Sequence, residues 1–391
     1  MLNDEWNLFI IHHSDFIIFI MLVLVANLGS TSFKFKLLDM ERDGELVARG
    51  GYERIGQAGS QFKTHGDVID QILKDLPSKP DAIGFKAVHG GPISGAVRVN
   101  DEVIATMEQF ADIAPAHNPP YIAAMKAFKQ KLPSVPQVAA FETAFHQTVP
   151  MSRQVYGIPY EWTEELGIRR YGFHGASHRY IATRVQELVG KRSARRVISC
   201  HLGGSCSVCA IENGKSVANS LGLTPQTGIF HCNRVGDFDT FALLRLTKHG
   251  YSADDVLKKL GKEGGLLGIS GVSNDMRDVE REAASGNARA KLAIDAFVEA
   301  VRHYIGAYLV ALGGCDCLVF TGGIGENGAA LREAICADLE WAGIQLDHAK
   351  NQVRGQETKI SKVESNTEIW IVPTNEELVV ARQTEAVLNA N

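Results

Sequence analysis

Residues 22–37 read LVLVANLGSTSFKFKL, and residues 196–211 read RVISCHLGGSCSVCAI. In each, an apolar run meets a short loop of small residues, and a second strand-like run follows. A continuous apolar run predicts a buried strand, and alternation predicts a strand with one buried face. Each stretch therefore reads as strand, loop, strand: Leu22–Ala26 then Phe33–Leu37, and Val197–Cys200 then Ser207–Ile211. Laid on each other without gaps, Asn27 falls on His201, Leu28 on Leu202, Gly29 on Gly203 and Thr31 on Ser205. The pattern predicts an internal duplication with one such loop in each half.

Outward from these two hairpins, helix and strand signals alternate, which predicts α/β layers. Helical spacing runs over His65–Leu76, Glu102–Ala111 with Asp101 as its cap, Ile122–Lys131, Ser177–Val189, Ala288–Leu312 and Glu376–Leu388. Strand signals lie at Ala82–Val88, Gln137–Phe141, Leu318–Thr321 and Ile369–Val372. Asn118-Pro119-Pro120 reads as a break before the helix that follows it. The domain boundary is expected near Pro150. This gives a first domain over 21–147, a second over 148–373, and a terminal segment 374–391 that returns to the first.

The chain has 391 residues with a formal net charge of -5, so neither a nucleic-acid binder nor a membrane-surface binder is indicated. An anionic ligand must then be held by local devices. Residues 1–20 hold short apolar runs split by His12, His13, Ser14 and Asp15, too short to span a bilayer and without a basic start. We read them as an N-terminal extension. All seven cysteines lie in the second half, an odd count that predicts free thiols and a reducing, cytoplasmic setting. The lone Cys206-x-x-Cys209 reads as buried thiols, with metal or redox function the lesser alternative.

Glycine-rich turns after buried strands suit phosphate, because backbone N–H groups reach an anion closely where no side chain intervenes. Gly29–Ser32, His201–Ser205 and Gly322–Gly328 are such turns. The last also fits G-x-G-x-x-G, so a dinucleotide-binding oxidoreductase is a rival reading. Nearby segments add Glu142 and His146, His174 and His178, and Arg234. A carboxylate, a histidine and an arginine beside phosphate loops suit phosphoryl transfer, which needs positioning and cations more than covalent chemistry.

From about Met21 onward, the chain resembles acetate kinase and its short-chain carboxylate kinase relatives. The matching stretches include Asn27–Lys34, Val88-His89-Gly90-Gly91, Ala114–Pro119, Phe141–Pro150, Tyr171–His178, Arg234–Asp237, Phe320–Asn327 and Thr374–Leu378. The resemblance implies two duplicated ribonuclease H-like domains of the actin-like ATPase kind, with a cleft between them, as a homodimer. It implies ATP and a short-chain carboxylate exchanging a phosphoryl group with Mg²⁺, or Mn²⁺ in its place.

By position, it implies Asn27 and Glu376 as metal ligands and Glu142, His174 and Arg234 as catalytic residues. Lys86, Val88, Ala116, Phe173 and Pro225 would form the acyl site. Lys34, His201, Leu202, Gly203, Gly204 and Ser205 would meet ATP. So would Asp275, Met276 and Arg277, and Gly323, Ile324, Gly325, Glu326 and Asn327. Four positions depart from the family pattern: Glu142 for Asp, Lys86 for Arg, Gly204 for Asn and Ala116 for Leu. Ala116 should widen the acyl pocket. The first three leave open a nucleotide-binding homologue with little or no turnover.

Overall fold

The computed structural model describes residues 21–114 and 117–390; the extension 1–20 and Ala116 lie outside the described residues. The first half holds β1 (Leu22–Leu28), β2 (Ser32–Asp39), β3 (Glu45–Glu53), β4 (Ala82–Ala87), β5 (Ala96–Arg98) and β6 (Gln137–Phe141). The second holds β7 (Arg196–Leu202), β8 (Cys206–Glu212), β9 (Lys215–Asn219), β10 (Cys317–Thr321), β11 (Thr358–Lys359) and β12 (Glu368–Ile371).

The two sheets have the orders β3-β2-β1-β4-β6-β5 and β9-β8-β7-β10-β12-β11. Each opens with an antiparallel meander, continues with two parallel strands, and ends on an antiparallel edge strand that precedes its neighbour in the chain. The duplication expected from the two hairpins is thus present across whole sheets, giving two duplicated α/β units. These mixed sheets are not the doubly wound parallel sheet of a dinucleotide fold.

The gap-free superposition needs one correction. In the first hairpin Leu28 pairs with Phe33, but in the second Leu202 pairs with Cys206. The first loop is one residue longer, so the equivalence holds up to the loop and slips after it.

Two helix starts also differ from expectation. Asn100, not Asp101, caps the helix Asp101–Gln109, its side chain accepting from the Val103 N–H. Asp101 falls in the first turn, where a negative charge is equally well placed against the helix dipole. The helix after it begins at Asn118, so Pro119 and Pro120 lie inside its first turn. The N–H groups there have no intrahelical acceptor, so proline costs little.

The closing helix, Glu376–Asn389, packs Val380 and Ala381 against Val23, Val25, Ala82 and Ala140 of the first sheet. It crosses β4 at Gly84, where a Cβ would come within 2.5 Å of Thr384 Oγ1. Glycine there lets the helix lie close enough to bring its N-terminal Glu376 to the ends of the strands. No helix among the described residues is long and apolar enough to cross a membrane. All seven cysteines are buried free thiols, Cys206 and Cys209 included.

Candidate active site

The polar residues gather at the carboxyl ends of the parallel strands in both sheets, where open α/β sheets place ligands. Lys86 lies near the end of β4, and Glu142 follows β6 directly, its N–H donating to the Ala87 carbonyl at 2.8 Å. The Lys86 ammonium pairs with Glu142 Oε1 at 3.4 Å and makes a close ion pair with Glu376 Oε2. One lysine from one strand thus joins two glutamates distant in sequence.

All three side chains are largely buried. Burial opposes the Lys86 charge, but Glu142 and Glu376 outweigh it and hold its pKa well above the ordinary lysine value. Burial, reinforced by Glu376, raises the Glu142 carboxyl to about 7 despite the pull of Lys86. Glu376 goes the other way: Lys86, then His201, overcome its burial and lower it. Beyond the 3.4 Å ion pair with Lys86, neither carboxylate oxygen of Glu142 has a hydrogen-bond partner, and both are buried.

His174 closes one wall. It has φ 56°, left-handed, and stands at the N-terminus of the helix Gly175–Val189. Its ring stacks on His201 with centroids 4.2 Å apart, and its Nδ1 lies 2.7 Å from Ser207 Oγ. The same hydroxyl meets His178 Nε2 at 2.8 Å. Burial, and then the neighbouring histidines, lower His174 well below its ordinary value, so the ring is neutral near pH 7. His201 Nδ1 meets Ser177 Oγ at 2.8 Å and lies 4.0 Å from Glu376 Oε1.

Two cavities open here. The smaller, about 290 Å³, is lined by Asn27, Lys34, Lys86, Glu142 and His174 among others. Val88, Phe173 and Pro225 give it an apolar side, and Ser205 a hydroxyl. The larger, about 810 Å³, is lined by Gly203, Gly204, Gly323, Ile324 and Asn327, with Asp275, Met276 and Arg277 along another side. Asp275 caps the helix Met276–Ala284 and holds Arg277 Nη2 at 2.6 Å.

Arg234 lines both cavities. Its Nη1 donates to Ser205 Oγ at 3.2 Å and to the Pro225 carbonyl at 3.1 Å. The turn that carries it rests on Gly265, whose φ is +61°; a Cβ there would lie 2.0 Å from the His231 carbonyl oxygen and 2.8 Å from that of Arg234. Only glycine satisfies both the backbone angle and the space.

Four residues of the expected nucleotide set line neither cavity: His201, whose ring stacks on His174, and three others. The Leu202 side chain packs in the core of the second unit. Gly325 is buried in the helix Gly322–Asn327, which forms where the sequence suggested a turn. The Glu326 carboxylate turns back to accept the Gly322 N–H at 2.8 Å and the Thr374 N–H at 3.3 Å, tying its short helix to the segment before the closing helix. Conversely, His117, Tyr121, Glu280 and Arg354 line the cavities without having been given a role from sequence. Tyr121 shows why: its hydroxyl accepts the Leu28 N–H at 3.0 Å, a tie that joins two distant segments and leaves no local signal.

The chain is 43% identical over 398 residues to acetate kinase of Natranaerobius thermophilus, covering 94% of this chain and 100% of that protein. It is 44% identical over 397 residues to acetate kinase of Dictyoglomus thermophilum, covering 94% and 99%. The crystal structure of Porphyromonas gingivalis acetate kinase superposes with a TM-score of 0.88 at 39% identity, covering 94% of this chain and 100% of that one. A propionate kinase from Francisella tularensis superposes with a TM-score of 0.87 at 36% identity and the same coverages. Residues 66–382 match the model of the acetokinase family. With a duplicated fold, a cavity that holds Lys86 and Glu142 and a glycine-lined one meeting at Arg234, and relatives alike over nearly the whole length, this chain belongs to the acetokinase family.

Proposed function

We propose that the protein catalyses reversible transfer of the ATP γ-phosphoryl group to a short-chain carboxylate, giving ADP and an acyl phosphate. The observation that carries this is Arg234, shared by a cavity large enough for a nucleotide and a smaller one with an apolar side. A carboxylate oxygen forms the new bond to Pγ while the bond from Pγ to the ADP oxygen breaks. The acceptor is already an anion at neutral pH, so no general base is required. The protein's work is to hold a polyanionic nucleotide against a carboxylate anion and to stabilise the charge on the transferring group.

Gly203, Gly204 and Gly323 offer close backbone approach to the phosphates, with Lys34 and Arg234 as cations; Asp275–Arg277 and Ile324 suit the nucleoside end. Val88, Phe173 and Pro225 face the acyl chain. Neutral His174 serves as a hydrogen-bonding group at the transferring phosphoryl.

Magnesium fits the residues present. It takes oxygen ligands, one or two carboxylates plus phosphate oxygens and water. Among the described residues there is no cluster of three or more acidic, histidine or cysteine ligands, but Glu376, Glu142 with its two oxygens unpartnered beyond the Lys86 ion pair, and the Asn27 amide supply such oxygens. When bound, the ion would neutralise charge on the phosphates.

The test is an acyl hydroxamate assay with ATP, Mg²⁺ and acetate, propionate or butyrate in turn. We expect hydroxamate with all three, and kcat/KM for propionate or butyrate at least equal to that for acetate, because alanine at 116 is a smaller side chain than the leucine of the family pattern. A steep preference for acetate removes the specificity reading. ATP binding without hydroxamate removes the activity.

We divide the chain as 21–147 with 374–391, and 148–373, hinged about the cleft. We also infer a homodimer. Phe241, Leu244 and Leu257 are strongly exposed on and beside the helices Ala242–Lys248 and Ala253–Lys262, the first of which buries no residue within its own chain. Sedimentation should give a mass near twice 42.6 kDa; a monomer at micromolar concentration would refute this.

A further inference from the structure

Lys86 is placed oddly for a substrate-binding residue. Its ammonium lies between Glu142 and Glu376, the two carboxylates best able to hold a divalent cation, yet its side chain also lines the acyl cavity. We propose that Lys86 and the divalent ion compete for these two carboxylates, and that the displaced ammonium becomes the clamp for the acyl carboxylate. This rests on the reading that Glu142 and Glu376 face the metal.

Charge alone supports the exchange. Two carboxylates in a buried site need a cation, because desolvated like charges are costly. Lysine supplies one positive charge and the divalent ion two. Once the ion balances both glutamates, the ammonium is repelled by it and has lost its partners. The cavity it lines is apolar along Val88, Phe173 and Pro225, and the anion that enters there is the acyl carboxylate.

The side chain suits the motion. Lysine is a compact point charge on a flexible four-carbon stem, whereas arginine must satisfy a planar fork. Lysine at this position, with glutamate rather than aspartate at 142, gives a pair that can close on each other at 3.4 Å and part again. The consequence is linkage: metal and carboxylate each tighten the binding of the other, by the same factor, since coupling free energies are reciprocal.

The experiment titrates the protein with Mn²⁺ alone, read by the free-ion electron paramagnetic resonance signal. Lys86→Gln should bind Mn²⁺ about tenfold or more tightly than wild type, within the usual range of coupling factors, and Glu376→Gln should bind it at least about tenfold more weakly. If Lys86→Gln binds Mn²⁺ no more tightly while Glu376→Gln still weakens it, competition is refuted and the metal reading stands. If Glu376→Gln leaves Mn²⁺ binding unchanged, the metal reading falls and this proposal with it. Wild type supplies a second measurement should Lys86→Gln fail to fold. Its acetate affinity, by calorimetry, should rise about tenfold or more when Mn²⁺ is present; equal affinities with and without the ion overturn the exchange.

Discussion

Glu142→Gln is expected to lower kcat by at least 10²–10³-fold, the usual cost of removing one preorganised electrostatic group, while making the metal-free protein more stable above pH 7. The two effects have one cause. Burial, with the long ion pair to Lys86 as the one polar contact of its carboxylate, makes the Glu142 charge expensive for the fold, hence its rise from 4.5 to about 7. A folded pKa above the unfolded one means that the fold favours the neutral acid. That contribution is fully present below pH 4.5, fades as pH rises through about 7, and is gone beyond it.

Glutamine is neutral at every pH. The melting temperatures of variant and wild type should therefore converge near pH 4 and separate above 7, with the variant higher. Lys86 keeps Glu376 as its partner in the variant, so its own charge stays compensated. Glu142→Asp, which keeps the charge, is expected to keep or raise turnover. Wild-type rates in the Gln variant would take Glu142 out of the mechanism, and a variant melting lower at pH 8 would show that its charge is stabilising after all.

The strands of both hairpins were legible because buried strands announce themselves as apolar runs, and the duplication because the same pattern occurs twice. The one-residue difference between the loops was not legible. Small polar residues such as Thr31 and Ser32 satisfy either a loop or a strand end, and only the ladder Leu28 to Phe33 against Leu202 to Cys206 decides it. Pro119 and Pro120 misled for a similar reason: proline breaks a helix interior but suits a first turn, and local sequence does not say which applies.

Of the site, the types of residue were readable and their partners were not. Glu142 and Lys86 stood out as departures from a family pattern, but nothing in spacing says that one ammonium meets both Glu142 and Glu376. That contact is made by the parallel register of β4 and β6 and by the closing helix crossing at Gly84. Glu326 sits in a motif that reads as a phosphate loop, yet its carboxylate accepts the N–H groups of Gly322 in its own segment and of the distant Thr374. A loop must be shaped before it can bind, and sequence does not separate the shaping residue from the binding ones.

Arg234→Lys is expected to lower kcat by about 10³-fold or more, as removal of a phosphoryl-stabilising arginine does elsewhere, with smaller changes in KM for ATP and for the acid. Arg234 uses Nη1 for both of its anchors, Ser205 Oγ and the Pro225 carbonyl. Its Nε and Nη2 have no protein acceptor among the described residues and so remain to meet ligand oxygens. Lysine cannot divide its labour this way, since one ammonium must either take the anchors or face the phosphoryl group. Because Arg234 borders both cavities, the charge it sees most strongly is the one that forms between nucleotide and acid, not that of either ligand alone. An interaction made mainly in the transition state lowers kcat and kcat/KM together, whereas uniform binding would raise KM and spare kcat. Steady-state kinetics in both directions separate the two. A Lys variant within about fivefold of wild type in kcat, roughly 1 kcal/mol of barrier, but with KM raised for one ligand only, would make Arg234 a wall of that ligand's cavity and leave the transferring group to be stabilised by His174 and the metal.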